Sequence, residues 1–354
     1  MVKAHALILP VLTAAGCAAV SIPGFLPETS QGVDGPIKGC CAGDSGSVTG
    51  AGGTSAGGAQ ASPQPLASPA PAGVVQATIP VGPAPRGLAL DHRGRVWVAV
   101  SGGGQVARLA DDKVAERLSA PGPVDLAFDA TGSVWVASNG GVFGFDASGS
   151  PLVGASDGTA EAVGVSGSFL FATFPKDGAI RRYPIGRSGL GTAVTLPGSA
   201  GAPRDLLVDP VGRLWVALGE TNAVARYDAP AATPSAPVLV FNAGGDPGGL
   251  AKDNSNRILV IGNNTIVSVS EGAPRTLLNN SLLAGATRMA VDRGGIIWAA
   301  ASSGNRLVGV TGEGKLASPS PTGLAGPADV LVDPVGRLWV SNELGGTVTR
   351  LSGS

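Results

Sequence analysis

Pro203-Arg204-Asp205-Leu206-Leu207-Val208-Asp209-Pro210-Val211-Gly212-Arg213-Leu214-Trp215-Val216 returns nearly unchanged as Pro327-Ala328-Asp329-Val330-Leu331-Val332-Asp333-Pro334-Val335-Gly336-Arg337-Leu338-Trp339-Val340. Weaker copies start at Pro85, Pro123, Glu161, Pro247 and Ala286, which makes seven in all. An aspartate closes the first segment at Asp91, Asp129, Asp209, Asp253, Asp292 and Asp333, and only the third copy lacks it. A self-similar period of about 40 residues holding several short strands is the signature of a propeller blade, a unit that buries its faces only against neighbours.

Each copy reads strand by strand. The segment ending in the aspartate, such as Gly87-Leu88-Ala89-Leu90-Asp91, alternates as a half-buried innermost strand would. Asp209-Pro210-Val211-Gly212 then carries turn chemistry: a carboxylate to accept turn N–H groups, a proline with fixed φ, and a glycine where the chain goes left-handed. Strand two is Val96-Trp97-Val98-Ala99 and its relatives; strand three is Val106-Ala107-Arg108-Leu109 and the runs aligned with it through Val348-Thr349-Arg350-Leu351. A fourth, outer strand is weaker, as in 114–118, 193–196 and 238–241. The seventh copy ends within three residues of the C-terminus, with no fourth strand of its own. The strand-like run 74–80 lies just before the first copy. It is expected to complete the last blade, closing an all-β, seven-bladed ring and removing its exposed edges.

Composition bounds the partners. The chain has 24 basic and 25 acidic residues, with a formal net charge of −1, so the clustered positive excess of a phosphate-backbone binder is missing and no nucleic acid is expected. The arginines of strand three (Arg108, Arg182, Arg226 and Arg350) sit on different blades and read as solvated strand faces. All five tryptophans (Trp97, Trp135, Trp215, Trp298 and Trp339) share one slot in strand two, with Leu170 and Leu259 in that slot in blades 3 and 5, and read as packing between blades.

The first residues stand apart from the repeats. Met1-Val2-Lys3 is a short positive start, 6–12 is an apolar run too short to span a bilayer, and Thr13-Ala14-Ala15-Gly16 precedes Cys17. This resembles a bacterial lipoprotein signal. On that reading residues 1–16 are the signal, Cys17 carries the lipid, and Ala18, which is not an acidic retention residue, directs the exported protein to the outer membrane. Ordinary signal cleavage would instead give a secreted protein. Residues 17–73 are rich in Gly, Ser, Ala and Pro and read as a disordered tether, with Cys40-Cys41 inside it. The propeller then occupies 74–354.

Pro-x-x-Leu-x-x-Asp-x-x-Gly-x-x-Trp-Val, followed by a Gly- or Asn-rich turn and an arginine-bearing strand, resembles the seven-bladed streptogramin (virginiamycin B) lyase family, with NHL-repeat proteins and the gluconolactonase group as more distant look-alikes. The resemblance covers about 74–351. It implies a magnesium-assisted elimination that opens a cyclic depsipeptide by histidine and glutamate at the inner ends of strands. The chain departs there. Its histidines are His5 and His92, the latter in the Asp91-His92-Arg93-Gly94 turn on the face opposite the expected site, and Leu218 and Asn342 stand where the glutamate would follow strand two.

The candidate site is therefore the mouth of the central channel. The position four before the turn aspartate reads Gly87, Asp125, Asp205, Gly249, Arg288 and Asp329, and the position before it adds Arg86 and Arg204. Blade-specific residues at a blade-equivalent position are not explained by the repeat's own packing. Asp125, Asp205, Asp329 and Glu343, with amides such as Asn139, Asn222, Asn264, Asn305 and Asn342 and with Glu220 on nearby loops, form an all-oxygen set of the kind that takes magnesium or calcium. Two functions follow as expectations: a non-catalytic envelope lipoprotein binding a protein, peptide or saccharide, or a metal-assisted lyase or lactonase using those acidic residues.

Overall fold

A computed structural model describes residues 73–353 except 199, 200, 229, 271, 272, 318–320 and 322; the expected signal, Cys17, the tether up to residue 72 and the Cys40-Cys41 pair lie outside them. Seven antiparallel blades follow one another, with innermost strands at Pro85–Leu90, Pro123–Phe128, Val163–Ser166, Pro203–Val208, Pro247–Lys252, Ala286–Val291 and Pro327–Val332. The last blade is completed from the other end of the ring. Val75–Pro80 pairs antiparallel with Thr347–Leu351, Pro80 opposite Thr347 and Val75 opposite Leu351, giving the sheet its fourth strand. The Gly73 and Ser352 backbones and the Ser352 hydroxyl extend this closure.

The core lies between blades. Each of seven hydrophobic clusters joins one blade to the next, and every tryptophan packs forward: Trp97 toward Leu126 and Val134, Trp215 toward Leu250 and Ile258, Trp339 toward Leu88 and Val96 across the closing seam. All five tryptophans are buried. At the usual area coefficient each contributes about 4–6 kcal/mol as an upper bound.

The turn aspartate is coupled to this tryptophan. In blade 7, Asp333 Oδ1 accepts the N–H groups of Val335 and Arg337, at 3.0 and 2.9 Å, while Oδ2 accepts Arg337 Nε at 2.6 Å and Trp339 Nε1 at 2.9 Å. Asp91 and Asp209 repeat the full set, and Asp129 and Asp292 keep the tryptophan bond. Blade 3 has no such aspartate, and its turn shrinks to Gly167-Ser168, with Ser166 paired directly to Phe169 and Gly167 at φ +58°.

Two features differ from expectation. The strand-three arginines are not merely solvated: strand register places Arg108, Arg226 and Arg350 opposite Trp97, Trp215 and Trp339, with their guanidiniums 6.0, 5.6 and 5.7 Å from the ring centroids, and Arg182 lies 4.5 Å from Phe169. Blades 2 and 3 are also continuous. The short strand Gly189–Leu190 folds back from strand three of blade 3 and pairs in parallel with the outer strand of blade 2, Gly189 opposite Val153.

Candidate binding site at the mouth of the channel

A β-bulge builds the site. In six blades the register of the innermost strand slips near its start, as between Pro123 and Asp125, Pro203 and Asp205, and Pro327 and Asp329. A bulge bends the strand and re-aims a side chain, and here the re-aimed residues are those of the variable column.

The aspartates turn toward the neighbouring blade. Asp125 Oδ2 accepts the N–H of Val163 at 2.9 Å, Asp205 Oδ2 that of Leu250 at 2.7 Å, and Asp329 Oδ2 that of Leu88 at 2.8 Å. Each thus ties its blade to the next, and Asp329 does so across the closing seam. Where the column holds glycine, the backbone of the next blade comes close to it. A Cβ on Gly87 would lie 2.6 Å from Val124 O and one on Gly249 would lie 2.0 Å from Thr287 O, so neither position has room for a side chain.

Arg288 joins this layer, its Nη1 2.7 Å from Asp205 Oδ1. Burial works against its charge, but Asp205, Asp125, Asp329 and Glu161 outweigh that and raise its pKa. One guanidinium does not compensate all these carboxyls. Burial, opposed by Arg288, pushes Asp125 up to about 6 and Asp329 up to about 7, and burial also raises Asp205 and Glu161.

A cavity of about 230 Å³ opens above, lined by Arg86, Glu161, Arg204, Arg288, Asp329 and Glu343 among others. Asp125 and Asp205 are not in its lining. Arg86 pairs with Glu343 at 2.8 Å across the closing seam, and Arg204 pairs with Asp246 at 3.0 Å. The structure therefore gathers Arg86, Arg204, Arg288 and Asp329 around one opening and withdraws the other two aspartates behind it. Glu161 and Asp246 were missed in the sequence. Glu161 starts the one copy without a turn aspartate to align on, and Asp246 falls in a loop outside the column.

The proposed metal set does not assemble. Asp125, Asp205 and Asp329 accept inter-blade N–H groups, Asp205 also binds Arg288, Glu343 is held by Arg86, and no group of three or more His, Cys, Asp or Glu converges on a metal position among the described residues. An arginine stands where a divalent cation would compensate the carboxylates, so the donor set does not fit magnesium or calcium. Several loop amides serve the backbone instead: Asn222 and Asn305 adopt positive φ and accept the N–H groups of Asp246 and Gly326, and buried Asn342 donates to Thr347 and Thr349. His92 is an exposed turn residue hydrogen bonded to the Asp129 carbonyl of the next blade.

No family model and no curated protein matches the sequence. Solved structures do match the fold. A streptogramin B lyase is 13% identical, with a TM-score of 0.67 over 77% of this chain and 95% of its own. A catalytically inactive virginiamycin B lyase from Staphylococcus aureus, solved with quinupristin, is 17% identical, with a TM-score of 0.67 over 77% of this chain and 96% of its own. The WD40 repeats of RRP9 are 11% identical, with a TM-score of 0.63 over 79% of this chain and all of theirs. The chain is a β-propeller similar to both lyases and WD40 scaffolds, and a fold so shared assigns no chemistry.

Proposed function

We propose that this chain is a non-catalytic binding propeller of the cell envelope, held there by lipid on Cys17, whose channel mouth recognises a polar ligand such as a peptide or saccharide. One observation carries the binding reading: Asp125, Asp205, Asp329 and Glu343 are committed to inter-blade N–H groups and arginines, which leaves Glu161 and paired charges around the opening and no cluster of metal ligands or histidine base among the described residues. Such a surface recognises by placed donors and acceptors. The lipid anchor rests on the Thr13-Ala14-Ala15-Gly16-Cys17 run alone.

A second reading has one observation in its favour. Asp329 lines the cavity with a carboxyl pushed up to about 7, within the range of a general base. That favours a lyase or lactonase like the structural neighbours, working through this carboxyl.

Purified protein is expected to leave a streptogramin B depsipeptide and an aldonolactone unopened, with or without magnesium. Turnover of either that disappears in Asp329→Asn would replace the first reading by the second. For the anchor, palmitate labelling of the full chain is expected and should vanish in Cys17→Ser; labelling that survives removes it.

A further inference from the structure

The seams repeat one arrangement on the turn side of the ring. Trp215 lies between Arg213, four residues after the turn aspartate, at 5.8 Å and Arg226 of strand three at 5.6 Å, and Trp339 lies likewise between Arg337 and Arg350, at 5.6 and 5.7 Å. The following blade adds its own arginine, Arg257 to the groove between blades 4 and 5 and Arg95 to that between blades 7 and 1. Each groove is thus lined by three guanidiniums from two blades.

In Arg213 and Arg257 the turn aspartate takes only Nε, at 2.5 and 2.6 Å, and those carboxylates are buried and also hold turn N–H groups. Their Nη groups make no hydrogen bond among the described residues. In two seams the chain itself puts a carboxylate on the strand-three arginine from the groove side: Asp112 on Arg350 at 2.6 Å between blades 7 and 1, and Glu116 on Arg108 at 2.8 Å between blades 1 and 2. A third groove lies between blades 4 and 5. Its described lining is Arg213, Arg226 and Arg257 with Trp215, Ser255, Asn256 and apolar Ile258 and Val269, around a volume of about 610 Å³, and it includes no carboxylate. Asp228, which holds Arg226 through Nε at 2.9 Å and Nη2 at 3.2 Å and leaves its Nη1 for an incoming anion, is not in that lining, and Glu271, which matches Asp111 in the repeat, lies outside the described residues.

We propose that the groove between blades 4 and 5 is a site for a tetrahedral oxyanion, a phosphate or sulfate group, held by Arg213, Arg226 and Arg257 with Ser255 and Asn256 as further donors. The guanidinium fork matches such an oxyanion in two-point contacts. The chain's own carboxylates in the sister grooves show that an anion is accommodated against strand-three arginines of this layout. The site is separate from the channel mouth and does not depend on the function proposed for it.

The test is calorimetric titration of the purified protein with inorganic phosphate, ionic strength being held constant with sodium chloride. Saturable binding to one site is expected, with competition by inorganic sulfate. Arg257→Gln should weaken it about tenfold or more, the loss expected for a charge-assisted contact. Ser255→Glu, at an exposed position, should weaken it as well by placing a carboxylate in the groove, and it decides the matter if Arg257→Gln destabilises blade 5. Arg86→Gln, at the mouth, should leave binding unchanged. Absence of saturable binding, equal binding by Ser255→Glu, or loss of binding in Arg86→Gln alone would overturn the proposal.

Discussion

In blades 1, 4 and 7 one aspartate serves three structures: the turn it caps, the arginine that follows, and the tryptophan that packs on the next blade. The turn role is legible in the sequence because Asp-Pro-Val-Gly is local chemistry. The bond to tryptophan six residues later is not, since it exists only once strand two has folded back on strand one. Asn cannot substitute at Asp333, because its amide would put a third donor against Arg337 Nε and Trp339 Nε1. Asp333→Asn is expected to cost about 2–4 kcal/mol, the range for losing charge-assisted bonds in a buried place. Asp253→Asn should cost about 1 kcal/mol less, because blade 5 has Leu259 in the tryptophan slot and one donor fewer is orphaned. Thermal midpoints of the two variants provide the check, and equal shifts would show that the tryptophan bond adds nothing.

At the scale of elements, ring closure could be read from the missing fourth strand of blade 7, and the pairing of 75–80 with 347–351 bears that out. What could not be read is how a bulge aims the column that begins each blade. A register slip leaves no mark in composition, so Asp125, Asp205 and Asp329 stood out as unexplained carboxylates in the sequence, whereas in three dimensions they are accounted for as ties to the next blade. The fold-back of 189–190 onto blade 2 was equally hidden, because two residues carry no strand pattern. A chain beginning at Gly73 should melt as the full chain does. One beginning at Val81 should lose the strand beside Thr347–Leu351, expose its edge and melt lower or aggregate. Equal melting of the two chains would show that the closing strand is dispensable.

For the ring as a whole, two layers of aspartate oppose each other in pH. Despite the opposing effect of burial, which is the largest single contribution, hydrogen bonds to side chains and turn N–H groups hold Asp91, Asp129, Asp209 and Asp333 below the ordinary 3.8. Their contribution is full above that value and is lost as pH falls through their folded pKa values. In the mouth layer burial raises Asp125 to about 6 and Asp329 to about 7, and raises Asp205 and Glu161. There the folded chain binds more protons than the unfolded one, so stability declines as pH rises from about 4 to about 7. The two slopes place the highest melting temperature at mildly acidic pH, below neutrality. Asn imitates the protonated acid and can still accept the Leu88 N–H across the seam, though it loses that of Val330, so Asp329→Asn should flatten the decline between pH 5 and 8 and compare better with the wild type at pH 8 than at pH 5. Melting curves of both proteins across that range measure it. A wild-type stability that rises steadily to pH 8, or an Asp329→Asn variant that falls with the same slope, would mean that these buried carboxyls are ionised without cost and that Arg288 compensates all of them.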